Sequence, residues 1–335
     1  YLGSAVAAAR VKGFQGKDLS SSNSVAACAK HFAAYGFAES GRDYNTADIG
    51  ESTLHNIVLP PFKAAADAGV STFMNAFNEL NGIPATADKI LQRDILKGDW
   101  GFDGFIVSDW GSLKEMVVHG YARDKNHAGE LGLNGGSDMD MESYIYLSEL
   151  ESLLKQGRVK IAQIDDAVRR ILTVKYELGL FDDPFRYCDT IREKEITGAP
   201  EIRAGVLDMA KKSIVLLKND GAVLPLKKEG QTIALIGPLA ADKNSPLGNW
   251  RIAGENNSAI SVLEGMLKYD GNTVIHEQGV KLVNTIPAFH QEVDINTTDK
   301  SGMEAAKNAA KNADVVVMVL GCLLYTSDAA DDQAS

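Results

Sequence analysis

Gly101-Phe102-Asp103-Gly104-Phe105-Ile106-Val107-Ser108-Asp109-Trp110-Gly111 decides how this chain is read. Phe105-Ile106-Val107 is short, apolar and rich in β-formers, the pattern of an interior strand buried on both faces of a parallel sheet. The strand does not run out into a polar loop; it ends on a small residue, a carboxylate, an aromatic and a glycine. In β/α barrels the catalytic side chains sit at the C-terminal ends of strands, so Asp109 reads first as chemistry. The bland reading is a cap for a helix starting near Ser112, a position that aspartate also favours.

Outward from Asp109, residues 25 to 180 alternate strand and helix. Strands are expected at Ala26–Phe32, Val70–Phe77, Gly104–Asp109 and Ser137–Met141, with helices at Glu51–Ala68, Thr86–Lys97, Ser112–His119 and Arg123–Leu133. A strong helix follows from Ile161 to Glu177, with Ile161, Ile164, Val168, Ile171 and Leu172 on one face and Gly179 as its stop. Repeated βα units imply a parallel sheet. Residues 182–205 break the periodicity and read as a linker. A second βα domain is expected over 206–321, with strands at Ser213–Lys218, Thr232–Ile236, Thr273–Gln278 and Val315–Leu320, and helices at Ile202–Lys212, Ala259–Tyr269 and Gly302–Lys311.

The 335 residues, 45% hydrophobic, suffice for two domains with their own cores. A net charge of −11 with dispersed Lys and Arg argues against a nucleic-acid partner or an anionic-membrane anchor. No apolar run approaches the roughly 18 residues of a membrane span. Cys28, Cys188 and Cys322 lie far apart without a CxxC spacing, so neither a zinc site nor a disulfide framework is indicated.

Four further constellations can carry chemistry. Lys30-His31 closes the first strand; beside Asp109 it would form a polar clamp for a hydroxylated ligand, and otherwise it is solvated. Gly41-Arg42-Asp43-Tyr44-Asn45 is a polar loop that either brings a guanidinium to the site or is a surface turn. Met74-Asn75-Ala76-Phe77-Asn78 ends the strand next to that of Asp109, with Met74 and Phe77 otherwise plain core. Asp138-Met139-Asp140 places two acids on one side of a strand. A metal-dependent glycosyltransferase would hold a divalent cation and a sugar nucleotide with such a pair; hydrogen bonding within the fold is the preferred alternative. Ala234-Leu-Ile-Gly-Pro238 starts like a nucleotide-binding turn but lacks GxGxxG, and Pro238 removes a donor N–H.

Taken together, Lys30-His31-Phe32, Met74 with Phe77-Asn78, Phe102 to Trp110, Asp138 to Met141, Leu178-Gly-Leu-Phe181, Ser213 to Asn219 and Leu224-Pro-Leu226 resemble a family three glycoside hydrolase of the bacterial β-glucosidase type, from Tyr1 to Leu320. The resemblance implies a (β/α)8 TIM-like barrel, here its C-terminal half over residues 1–181, followed by an incomplete α/β sandwich domain. It implies Asp109 as nucleophile and Lys30, His31, Arg42, Met74, Trp110 and Trp250 as substrate-binding residues. The implied activity is metal-free, cofactor-free, retaining exo-hydrolysis of oligosaccharides or aryl β-glycosides, by a periplasmic or secreted β-glucosidase or β-xylosidase. The family has Tyr where this chain has Phe77 in many members. Its acid/base Glu follows the strand matching Val315–Leu320; residues 322–335 hold no Glu and read as a foreign tail. A related branch carries its acid/base in Lys-His-Phe-Pro-Gly-His-Gly, whereas this chain reads Lys30-His-Phe-Ala-Ala-Tyr-Gly36. The expectation is therefore a truncated, inactive chain, with a sugar-binding pseudoenzyme as the non-enzymatic alternative.

Overall fold

The structure is a computed structural model that describes residues 1–42, 44–248, 250–251, 254–285 and 294–321. It divides into two units, Tyr1–Arg203 and Ala204–Ser335. The first holds three parallel strands, β1 (Cys28–Phe32), β2 (Thr72–Asn75) and, after the short hairpin of β3 (Glu79–Leu80) and β4 (Ile83–Pro84), β5 (Phe105–Val107). Their order is β1-β2-β5, with Cys28 opposite Thr72 and Met74 opposite Val107. The β1 register shifts between Ala29 and Phe32, where the Lys30–His31 and Phe32–Ala33 peptide bonds are cis.

The core behind these strands is aromatic. Phe32 packs edge-on against Phe62, Phe73 and Trp100 at centroid distances of 5.2, 5.4 and 6.0 Å, and Phe73 meets Phe102 at 4.9 Å. Such edge-to-face pairs add directional preference to apolar burial. The start of β5 is clamped from outside: Arg170, on the helix Ile161–Glu177, donates to the carbonyls of Phe102 and Gly104 at 2.9 and 2.8 Å. Only glycine fits at 104, because a Cβ there would lie 2.1 Å from the Ser71 carbonyl oxygen.

Ser137–Met141, expected as a fourth strand, joins the sheet through one parallel bridge, Met139 to Val107. The reason is local. The Ile106 N–H goes to the Asp138 carboxylate at 2.8 Å, so a side chain takes the place of a ladder carbonyl. A helix at Ile145–Lys155 stands where none was expected; the Asp140 carboxylate accepts from the N–H groups of Ile145 and Tyr146 at its start. Helices Thr190–Ile196 and Pro200–Ser213 occupy much of the stretch read as a linker, the first capped by Asp189.

In the second unit, β6 (Glu229–Ile236), β7 (Gly271–Glu277) and β8 (Val315–Met318) form a parallel sheet in the order β7-β6-β8. The helix Met303–Lys311 sets Ala306 and Ala309 against Ala234 and Ile236. The strand expected at Ser213–Lys218 is not formed. Ile214, Val215, Leu216 and Leu217 are exposed, and among the described residues no strand edge pairs with them, so their backbone has no ladder to join. Residues 322–335, read as a foreign tail, lie outside the described residues, as does Asp43.

Candidate active site

The parallel register brings the ends of β1, β2 and β5 to one edge, and Asp109 leaves the sheet there two residues after β5. Asp109 is buried, at 5% exposure. One carboxylate oxygen accepts the Trp110 N–H at 2.7 Å, and the other faces His31 Nε2 at 3.4 Å. Its carbonyl accepts from the Ser108 hydroxyl and the Ser112 N–H at 3.0 and 3.2 Å. In the helix Ser112–Val118 that follows, Gly111 stands at the N-cap and the Lys114 N–H donates to the Ser143 hydroxyl at 3.3 Å, whereas the Asp109 carboxylate takes the Trp110 N–H before the helix begins. Gly111 has φ 71°, a left-handed turn that glycine adopts without a Cβ clash, and its N–H reaches the Met141 carbonyl at 2.8 Å. A carboxylate fixed this way, with an imidazole alongside it, has the placement that a nucleophile or a general base requires.

The sequence-predicted residues fall unequally around it. His31 reaches Asp109, and Tyr35 packs edge-on to the imidazole at 5.1 Å. Lys30 is exposed, two residues after Cys28 on the same strand, and both its charge and that of Asp109 act on the Cys28 thiol. Although Cys28 is exposed as a residue, desolvation around its thiol pushes it up from its ordinary value, outweighing the Thr72 hydrogen bond and the Lys30 charge. Met74 is buried within β2, opposite Val107. Trp110 is half-buried beside the nucleophile candidate. Arg42 is exposed, and its guanidinium makes no ion pair among the described residues. Trp250 belongs to the second unit, where the residue is 47% exposed. Phe77, where the family often has Tyr, is covered by Tyr44 at 4.3 Å, with Tyr44 itself buried.

Beneath Asp109 lies a polar network that the sequence reading missed. Asn75, Thr86, Gln92, Ser112 and Ser137 are all buried and bonded to one another. Asn75 and Asn78, at and just past the end of β2, were its only trace in the sequence. Asp138 and Asp140, the pair that could hold a cation, spend their carboxylates within the fold. Asp138 takes Lys97 Nζ at 2.7 Å and the Ile106 N–H, whereas Asp140 takes the N–H groups of Ser143, Ile145 and Tyr146. Among the described residues, no group of three or more His, Cys, Asp or Glu side chains could hold a metal ion. No helix there is long and apolar enough to cross a membrane.

A strand-end carboxylate beside a histidine, carried on parallel βα units, is an arrangement that can support nucleophilic or acid–base chemistry. Residues 1–174 match the glycosyl hydrolase family 3 N-terminal domain and residues 214–334 its C-terminal domain; the chain belongs to glycosyl hydrolase family 3. It is 40% identical over 333 residues to a periplasmic β-glucosidase of Salmonella typhimurium, covering 96% of this chain and 43% of that protein. It is 35% identical to a β-xylosidase of Formosa agariphila, covering 100% of this chain and 47% of the other. The crystal structure of β-glucosidase from Listeria innocua in complex with glucose superimposes with a TM-score of 0.77 at 37% identity, covering 97% of this chain and 43% of that one. The chain thus spans somewhat less than half the length of these relatives.

Proposed function

We propose that the protein carrying this chain is a retaining, exo-acting β-glycosidase that removes a non-reducing-end glucose or xylose from oligosaccharides or aryl β-glycosides. The observation that supports this most is Asp109 itself: buried, backbone-anchored, at a parallel strand end and facing His31. In this reading Asp109 attacks the anomeric carbon as the glycosidic oxygen is protonated and leaves, giving a glycosyl-Asp109 ester. Water activated by the second carboxyl then attacks the same carbon and frees Asp109. That second carboxyl must stand about 5–5.5 Å away. The family resemblance puts it after the strand matching β8, and we assign it to no residue of this chain.

His31 and Lys30 would bond sugar hydroxyls, with Arg42, Met74, Trp110 and Trp250 completing the sugar site. β1, β2, β5 and the Met139 bridge would be the C-terminal half of a TIM-like barrel, and a periplasmic or secreted location accords with the Salmonella relative's name. The glycosyltransferase alternative loses support from the internal bonds of Asp138 and Asp140.

The test is Asp109→Asn in the full-length protein. Turnover of an aryl β-glucoside is expected to fall by several orders of magnitude with the fold intact, and a 2-deoxy-2-fluoroglycoside should label Asp109 covalently. Labelling of Asp138 or Asp140 instead would overturn the assignment.

A further inference from the structure

Past Val107 the chain leaves β5, and the Ser108 N–H makes the parallel bridge to the Met139 carbonyl at 2.8 Å. The next donor, the Asp109 N–H, meets a side chain, Asn75 Oδ1, at 3.3 Å. Asn75 is the last residue of β2 and is fully buried. Its amide is fastened on both sides. Nδ2 donates to the Ser137 hydroxyl oxygen at 2.8 Å, and Oδ1 lies 3.2 Å from the Thr86 hydroxyl. Only one orientation satisfies these partners, since the flipped amide would turn its NH2 toward the Asp109 N–H.

The fastening continues into rigid elements. The Ser137 hydroxyl lies 2.9 Å from the Thr86 carbonyl and 3.0 Å from Gln92 Oε1. Gln92 in turn donates to the carbonyls of Ala85 and Thr86. The network links the end of β2, the turn Ala85–Ala87, the helix Ile90–Asp99 and the segment before Asp138. Buried polar groups are costly unless partnered, and a fully connected set holds its members in one geometry. Here that geometry ends on the backbone of the nucleophile candidate.

We propose that Asn75 is a positioning residue: it touches no substrate, and through the Asp109 backbone it holds the carboxylate at the angle from which it attacks. This rests on Asp109 being the nucleophile, and the experiment separates the two claims. Asn75→Ala and Ser137→Ala are made in the full-length protein, the second removing one of Asn75's two fastenings while leaving its bond to Asp109. The covalent labelling rate by a 2-deoxy-2-fluoroglycoside is measured alongside the affinity of a reversible sugar-mimicking inhibitor and the thermal midpoint. Displacing a reacting group by about 1 Å can cost roughly 100-fold in rate. Labelling should therefore slow by about 10–100-fold in Asn75→Ala and by less in Ser137→Ala, with inhibitor affinity held within about threefold. If Asn75→Ala labels at the wild-type rate, or if rate and affinity fall together, the positioning role is wrong. If Asn75→Ala does not fold, Ser137→Ala decides: a folded variant labelling at the wild-type rate overturns the proposal. If the wild-type label falls elsewhere than Asp109, the reading beneath it fails instead.

Discussion

Replacing Lys97 with methionine should destabilise the first unit far more than an ordinary substitution. Lys97 Nζ lies 2.7 Å from Asp138 and also donates to the Gly136 carbonyl at 2.8 Å, with side chains only 7% and 3% exposed. At an effective dielectric near 20, two charges at that separation attract by about 6 kcal/mol. Desolvation opposes this with several kcal/mol per ion, so the intact pair contributes little net stability. Removing one partner is different. Lys97→Met leaves a buried carboxylate whose remaining bond is the Ile106 N–H, at an expected cost of about 3–5 kcal/mol. For a unit of this size, each kcal/mol moves the thermal midpoint by about 2–4 °C, so a fall of about 6–20 °C is expected. Asp138→Asn keeps an acceptor for Ile106 and should cost less; the double variant should be more stable than the sum of the singles predicts.

Proton linkage gives a second readout. Burial, opposed by Asp138, holds the Lys97 ammonium below the ordinary lysine range. Between that lowered value and the unfolded one, the unfolded chain binds more protons, so stability from this group rises with pH. The desolvation cost is fully present below the window and is relieved across it, in the alkaline range. Lys97→Met should lose this rise. Urea unfolding followed by tryptophan fluorescence, repeated across alkaline pH, measures both. A loss under about 1 kcal/mol, or strictly additive singles, would refute the reasoning.

Two further outcomes are expected. His31→Ala and Lys30→Ala should each lower kcat/KM by roughly 2–4 kcal/mol with little change in midpoint, as for charge-assisted bonds to a substrate. Collapse of stability with normal activity of the folded fraction would make the pair structural. Gly104→Ala should destabilise strongly, because its Cβ would meet the Ser71 carbonyl at 2.1 Å and the Phe102 ring at 2.7 Å. Wild-type stability by thermal melting would show that the close approach of β2 and β5 is not real.

Much of this architecture could be read without coordinates, because parallel strands are short apolar runs with abrupt ends. The runs around Phe32, Phe73 and Ile106 became β1, β2 and β5, and the helix Ile161–Glu177 formed over its expected bounds, with Ile161, Val168 and Leu172 of its expected apolar face exposed. Local rules failed where side chains replaced backbone partners. Asp138 interrupts the expected fourth strand, and Asp140 starts a helix whose sequence carries no conventional cap. Ile214 to Leu217 has every strand propensity, but among the described residues no strand pairs with it. At the site, the approach of His31 to Asp109 was foreseen from strand ends lying in one layer. Asn75, Ser137 and Thr86 were not, because their contacts join residues 11 to 62 positions apart and leave no periodic trace.

The lacing around Gly111 has an evolutionary side. Met139, Met141 and Ser143 lend backbone or hydroxyl oxygens to Ser108, Gly111 and Lys114, and Asn75 holds Asp109, so the bonds described for this turn come from the first unit alone. Exposed neighbours such as Glu142 and Tyr144 are therefore free to be redrawn in a descendant without disturbing the backbone bonds that hold Asp109. The setting of the proposed nucleophile could thus be inherited intact while its surroundings drifted.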